Sequence, residues 1–278
     1  MTDDARDPVA DSAQLPPAPQ RPKRKGLYVL PNAISLAALF ASFYAIVMAM
    51  NGRYELSVYG IFTAAVLDSL DGRVARMTHS QSAFGEQMDS LCDMVSFGAA
   101  PALIVYEWAL RDLGKWGWLP AFVYIAGAAL RLARFNTNIG VVDKRYFQGL
   151  PSPAAAALVM GLIWIMDDAG LRGVTKINWL AWTAFGVTLY AGLSMVTNAP
   201  FYSFKDVSFK RSVPFIVLVA IALGIAVINI HPPTVLFALF CIYGMSGYAV
   251  YAYKKAKGKP VSVIATSTDE PDEAGLHR

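Results

Sequence analysis

Eight apolar runs divide the chain, at about Leu30–Met50, Leu56–Val74, Phe84–Tyr106, Trp116–Asn136, Pro151–Met166, Trp179–Val196, Val213–Ile230 and Pro233–Tyr253. A helix of about 20 residues is needed to cross roughly 30 Å of hydrocarbon. Most of the runs approach that length. The fifth is short, and only His231–Pro232 separates the seventh from the eighth, where the Pro232–Pro233 pair marks the break. With 55% hydrophobic residues and a mean hydropathy of +0.41, the chain is too apolar for an ordinary soluble domain. The expected fold class is therefore all-α, a polytopic membrane protein with about eight transmembrane helices.

Eight crossings return both termini to one side. The N-terminal tail, the loops near 73–83, 131–150 and 197–212, and the C-terminal tail hold 19 of the 24 Lys and Arg residues. Arg53, Arg111, Lys115, Arg172 and Lys176 fall on the other side. Basic residues collect on the cytoplasmic side of a membrane protein, so both termini are expected there, in a multi-pass protein of the cell's inner (plasma) membrane. Residues 1–25 lack apolar periodicity and predict a disordered tail ending in a basic cluster, Arg21 to Lys25. No apolar signal segment is expected within them. Residues 26–254 form the transmembrane domain, and 255–278 a second disordered tail. Cys92 and Cys241 have neither metal-ligand spacing nor a disulfide framework and read as small apolar filler. The net charge of +4 is mild, and no nucleic-acid partner is expected.

Against this background the stretch DSLDGRVARMTHSQSAFGEQMDSLCD is anomalous, because it sets Asp68, Asp71, Asp89 and Asp93 between apolar flanks. One carboxylate within a span costs roughly 2.5–3.5 kcal/mol, and four cost on the order of 10 kcal/mol if the costs add. Bound cation is the expected compensation. At about 100° per residue, Asp68, Asp71 and Ala75 share one helical face. Gly85, Asp89 and Asp93, at i, i+4 and i+8, share another. Two helices joined by a short turn pack antiparallel. The metal site is thus expected between helices two and three, near the cytoplasmic face. Carboxylate oxygens suit Mg²⁺ or Mn²⁺, with Ca²⁺ a further candidate, and four carboxylates suffice for two ions. Small residues at Gly72, Ala75 and Gly85 would let a helix or a ligand approach closely. Arg76 could hold a phosphate; Arg73 could do so or reach lipid head groups. Asn32 reads equally as a contact to the site or as an interfacial amide in water. Intramembrane aspartates also line ion pathways, so a cation transporter is the rival class.

The residues Asp68-Ser-Leu-Asp71-Gly72-Arg73-Val74-Ala75-Arg76, then Gly85, Asp89 and Asp93, fill every position of the pattern D-x2-D-G-x2-A-R-x8-G-x3-D-x3-D. The stretch resembles the signature of the CDP-alcohol phosphotransferase family. Phe84, Gly85, Gln87, Asp89, Ser90, Leu91, Asp93, Ser96, Phe97, Gly98, Pro101 and Ala102, with the phrases RLARFN (131–136) and F-x-GLPSPAAA, resemble that family's phosphatidylserine synthase branch. The resemblance covers about residues 26 to 160. It implies transfer of a phosphatidyl group from CDP-diacylglycerol to L-serine with CMP as leaving group, and a homodimer in the lipid bilayer. It implies Asp68, Asp71 and Asp89 as metal ligands and Asp93 as the base that also touches metal. Gly72, Ala75 and Gly85 would make room for the nucleotide, with Arg76 on its phosphates; Asn32 is a candidate for the same nucleotide or phosphate contact by its position alone. For serine, Arg131 or Arg134 could hold the carboxylate, and Ser96 or Asn136 could add polar contacts; the choice stays open. The same chemistry with glycerol 3-phosphate, inositol phosphate or choline is the near alternative.

Overall fold

The computed structural model describes residues 29–78, 80, 82–137, 146–171, 178–203 and 215–257. The tail predicted over 1–25, most of the loop near 197–212 from residue 204 on, and most of the tail predicted over 255–278 lie outside the described residues.

Helix α1, Val29–Met50, buries Pro31, Ser35, Ala38, Ser42, Ala45 and Ala49, alternating four and three residues apart. That spacing makes one seam along the helix. Asn51 to Arg53 reverse the chain, with Gly52 at φ +68°, a conformation that glycine adopts freely. Helix α2, Tyr54–Met77, then runs back along the seam. At Gly60 a Cβ would lie 2.8 Å from Ala45 Cβ and 2.9 Å from the Ala41 carbonyl, so the two backbones nearly touch. Helix α3, Ala83–Asp93, starts at Ser82, whose hydroxyl accepts from the Gly85 N–H at 3.0 Å. It continues through a π-helical turn, Met94–Ala99, into α4, Ala100–Trp108.

A 3₁₀ segment, Leu110–Trp116, meets α5, Trp118–Thr137, at 97°. The fourth apolar run therefore begins in a sharp bend. Then come α6, Ser152–Asp168, α7, Asn178–Val196, α8, Phe215–Ile230, and α9, Pro232–Ala256. Each apolar run falls on helix, with ends within about three residues of those expected. The fifth run, though short, supplies the centre of the bundle. Every residue from Ala155 to Ile163 on α6 is buried, as a helix apolar on all sides requires. The outer surface is apolar as well, with Phe40, Leu91 and Ile242 at least 70% exposed. A molecule whose solvent is lipid shows this surface.

Four helical stretches among the described residues are long and apolar enough to cross a membrane: Val29–Met50, Ala83–Trp108, Trp179–Val196 and Pro232–Ala256. The bent pair around Gly117 raises the number to as many as five. Helix α2 carries the aspartates and arginines, and α6 and α8 have only 17 and 16 residues.

The all-α expectation needs one correction. Strand β1, Tyr146–Gln148, pairs antiparallel with β2, Pro200–Tyr202, with Phe147 opposite Phe201. Three residues are too few for an alternating pattern to stand out in sequence. The ribbon ties the α5–α6 connection to the α7–α8 connection. Gly149, at φ +77°, closes it; a Cβ there would lie 2.4 Å from the Met195 carbonyl.

Helices α5 and α7 cross at Gly127 and Gly192. A Cβ on Gly127 would stand 2.3 Å from the Gly192 carbonyl oxygen. Because the obstacle is backbone, Gly127→Ala is expected to force the helices apart and destabilise the fold by about 1–3 kcal/mol. A thermal melt in detergent checks this; an unchanged midpoint would refute the close crossing.

Candidate active site

The acidic residues collect where α1 begins, α2 ends and α3 begins. The Ser82 cap starts α3 so that Asp89 and Asp93, one turn apart, face α2. One carboxylate oxygen from each of Asp68, Asp71 and Asp89 lies within 4.8 Å of the others. Two oxygens on a single ion can stand at most about 4.2 Å apart for Mg²⁺ and about 5 Å for Ca²⁺, twice the usual bond length. The three carboxylates thus fit one divalent ion, at once or after a slight closure.

Asp71 is buried and held from α1, because Ser35 Oγ donates to its Oδ2 at 2.6 Å. A hydrogen bond to a charged group contributes about 1.5–3 kcal/mol, enough to fix a rotamer. One turn further into the bundle the Asp93 and Asp68 side chains are in hydrogen-bond contact. Oδ1 of Asp93 is buried with no donor from the protein on it. A buried acceptor left open beside three other carboxylates needs a proton donor or a cation. The whole donor set is hard oxygen, so the residues fit Mg²⁺, Mn²⁺ or Ca²⁺.

An open cleft lies beside Asp71 and Asp89; Asp68 and Asp93 do not line it. Asn32, Gly72, Ala75, Arg76 and Gly85, the residues expected to face a nucleotide, all line it, together with Asp71 and Asp89. Gly85 sits close to Asn32, whose Oδ1 would be 3.3 Å from a Cβ at that position. At Gly72 the nearest atom to such a Cβ is the Arg76 guanidinium, 3.9 Å away, so the floor beneath Arg76 is open. Pro31, Ser35, Ser80, Ser82 and Glu86 complete the wall. Sequence reasoning missed Ser35, although it stands one turn from Asn32 on the same face of α1. Arg73 does not line the cleft.

The residues considered for the acceptor part company. Asn136, near the end of α5, is paired with Ser90, next to Asp89, its Nδ2 donating to Ser90 Oγ at 3.1 Å. Arg131 donates from Nη1 to Ser152 Oγ at 3.0 Å, while its Nε is buried without a partner. It also lies close enough to Asp93 to interact with its charge. Arg134 is used elsewhere, donating to the Val196 carbonyl at 3.2 Å and to Asn198 Oδ1 at 3.1 Å. Ser96 does not reach the cleft. It is 1% exposed and shares a 2.7 Å hydrogen bond with Ser42 on α1, because the π turn directs it into the bundle.

A helical membrane protein that gathers carboxylates around an open cleft at one end of its bundle belongs to the class of integral-membrane proteins with an acidic, metal-competent site. Within that class the match is specific: over residues 28–191 the chain fits the CDP-alcohol phosphatidyltransferase family, and it belongs to that family. Curated relatives named CDP-diacylglycerol–serine O-phosphatidyltransferase include one from Helicobacter pylori (strain J99), 34% identical across 79% of this chain and 90% of the relative. One from Mycobacterium bovis is 30% identical across 78% and 76%. One from Methanocaldococcus jannaschii is 31% identical across 68% and 82%.

Proposed function

We propose that the protein transfers the phosphatidyl group of CDP-diacylglycerol to L-serine, giving phosphatidylserine and CMP. The observation that carries this reading is the convergence of Asn32, Gly72, Ala75, Arg76 and Gly85 on one cleft with Asp71 and Asp89, two members of the cluster of Asp68, Asp71 and Asp89. The serine acceptor is supported by the names of the relatives and by their coverage of both chains. In the reaction the serine hydroxyl oxygen bonds to the lipid-side phosphorus of the pyrophosphate. The bond from that phosphorus to the CMP oxygen breaks, and CMP leaves with the electron pair. Asp93 Oδ1 receives the hydroxyl proton. Arg76 and Asn32 hold the phosphates, and Gly72, Ala75 and Gly85 leave space for the nucleotide. Asp68, Asp71 and Asp89, joined by Asp93, would hold one or two divalent ions. When bound, such ions neutralise a pyrophosphate and polarise its P–O bonds. We assign serine's carboxylate to Arg131 rather than Arg134, because Arg131 has an open donor and lies close enough to Asp93 to interact with its charge, while Arg134 is already engaged.

The membrane arrangement follows from charge. Eight crossings with both termini in the cytoplasm of an inner-membrane protein bring the cleft within reach of cytoplasmic serine. A homodimer is the expected assembly, checked by light scattering in detergent.

The test is CMP release by purified protein given CDP-diacylglycerol, Mn²⁺ or Mg²⁺, and serine, glycerol 3-phosphate, inositol, inositol phosphate or choline separately. Release with serine alone is expected; release with another acceptor and none with serine would overturn the reading. Arg131→Ala is expected to raise the KM for serine about tenfold or more, the loss of a charge-assisted contact of about 1.5–3 kcal/mol, while the KM for CDP-diacylglycerol holds. Arg134→Ala should move it less; the reverse order would transfer the role to Arg134.

A further inference from the structure

No donor from the protein reaches Asp93 Oδ1, whereas Asp71 is fixed by Ser35. The place of the Asp93 carboxylate, and with it its contact with Asp68, depends on the backbone that carries it, and Asp93 is the last residue before the π turn Met94–Ala99. The cause of that turn is in the sequence. In an α-helix the Phe97 carbonyl would accept from the N–H of residue 101, but residue 101 is proline and has none. The helix widens instead, and the Ala100 N–H bonds to the Val95 carbonyl, five residues back. The Phe97 carbonyl is left in a fully buried position, where an unpaired acceptor is unfavourable.

Tyr124 on α5 resolves this. Its hydroxyl donates to the Phe97 carbonyl at 2.9 Å, with both residues 0% exposed. Two close approaches seat it there. A Cβ on Gly98 would be 3.1 Å from Ala128 Cβ, and one on Gly192 would be 2.8 Å from Tyr124 Cα, so α5 is gripped between the π turn and α7. The Ser42–Ser96 hydrogen bond ties the other side of the turn to α1. We propose that Tyr124 is a positioning residue of the reaction. Through the Phe97 carbonyl it holds the π turn in the register that aims Asp93 at the acceptor hydroxyl, and it touches neither substrate. The assignment rests on the phosphatidyl-transfer reading above.

The experiment measures kcat and KM for CMP release in Tyr124→Phe, Pro101→Ala and Tyr190→Phe, with melting in detergent. Tyr124→Phe removes one hydroxyl and frees the turn. Its kcat is expected to fall about tenfold to a hundredfold, as misplacement of a reacting group by a fraction of an ångström does, with both KM values within about twofold. Pro101→Ala restores the N–H that competes for the Phe97 carbonyl. Its kcat should fall likewise while its melting temperature holds or rises, the opposite sign to simple loss of structure. This variant also keeps the proposal testable should Tyr124→Phe not fold. Tyr190→Phe is the control, deleting a comparable 2.8 Å bond from α7 to the Gly244 carbonyl on α9, which does not involve the turn. It should lower the melting temperature and leave kcat unchanged.

Wild-type kcat in Tyr124→Phe or in Pro101→Ala overturns the assignment, as does an equal loss in Tyr190→Phe. Wild-type protein that releases no CMP with serine overturns the transfer reading and this assignment with it.

Discussion

Asp93→Asn is expected to lower the rate of CMP release by about three orders of magnitude, within the 10²–10⁴ range of a positioned general base. The substitution keeps the size and shape of the side chain. It replaces an oxygen that can accept the serine proton with an amide that cannot be protonated at neutral pH. Because Asp93 Oδ1 has no protein partner, its removal strands no donor and the fold should persist. It also replaces one of four crowded, buried carboxyl groups with a neutral amide, so the melting temperature in detergent should hold or rise. The measurement is turnover with CDP-diacylglycerol and serine beside a melt of the same preparation. A folded Asp93→Asn protein with near wild-type turnover would remove Asp93 from the chemistry.

The second large effect is on the ion. Chelation by EDTA is expected to abolish turnover, and added Mn²⁺ to restore it. Binding is also measurable without turnover. Mn²⁺ titrated into purified protein and followed by electron paramagnetic resonance should bind at least about tenfold more weakly to Asp71→Ala or Asp89→Ala, each of which removes a ligand. An ion at a hundred times its Kd stabilises the folded state by about 2.7 kcal/mol, so Mn²⁺ should raise the melting temperature of the wild type and much less that of either variant. Ser35→Ala, which frees Asp71 without deleting it, should fall between. Mn²⁺ binding unchanged in both aspartate variants would dismiss the carboxylate cluster as an ion site.

Helical rods and acidic residues were legible because each rests on a local rule. Runs of about 20 apolar residues form helices in lipid, where no other element satisfies its own backbone. The one-turn spacing of Asp89 and Asp93, and the small residues at Gly72, Ala75 and Gly85, could be projected onto helix faces directly. Ser35 escaped notice because a serine in a membrane helix is commonplace, and its value to Asp71 comes from a partner 36 residues away. The ribbon joining Phe147 to Phe201 escaped for the same reason, since its partners lie on two separate connections.

The sequence by itself determined the helices, the four carboxylates and the small residues around them, because these depend on neighbours within a turn or two. Only the tertiary structure decided that Arg131 keeps an open donor beside Asp93 while Arg134 is engaged by the end of α7, although the two stand three residues apart on one helix. Likewise Pro101 announces a break in its helix, but whether the chain kinks, frays or widens depends on what meets the released Phe97 carbonyl. Here it is the Tyr124 hydroxyl, brought across by a glycine crossing with α7. Buried polar groups must be paired, and the partner that pairs them is a matter of packing between helices.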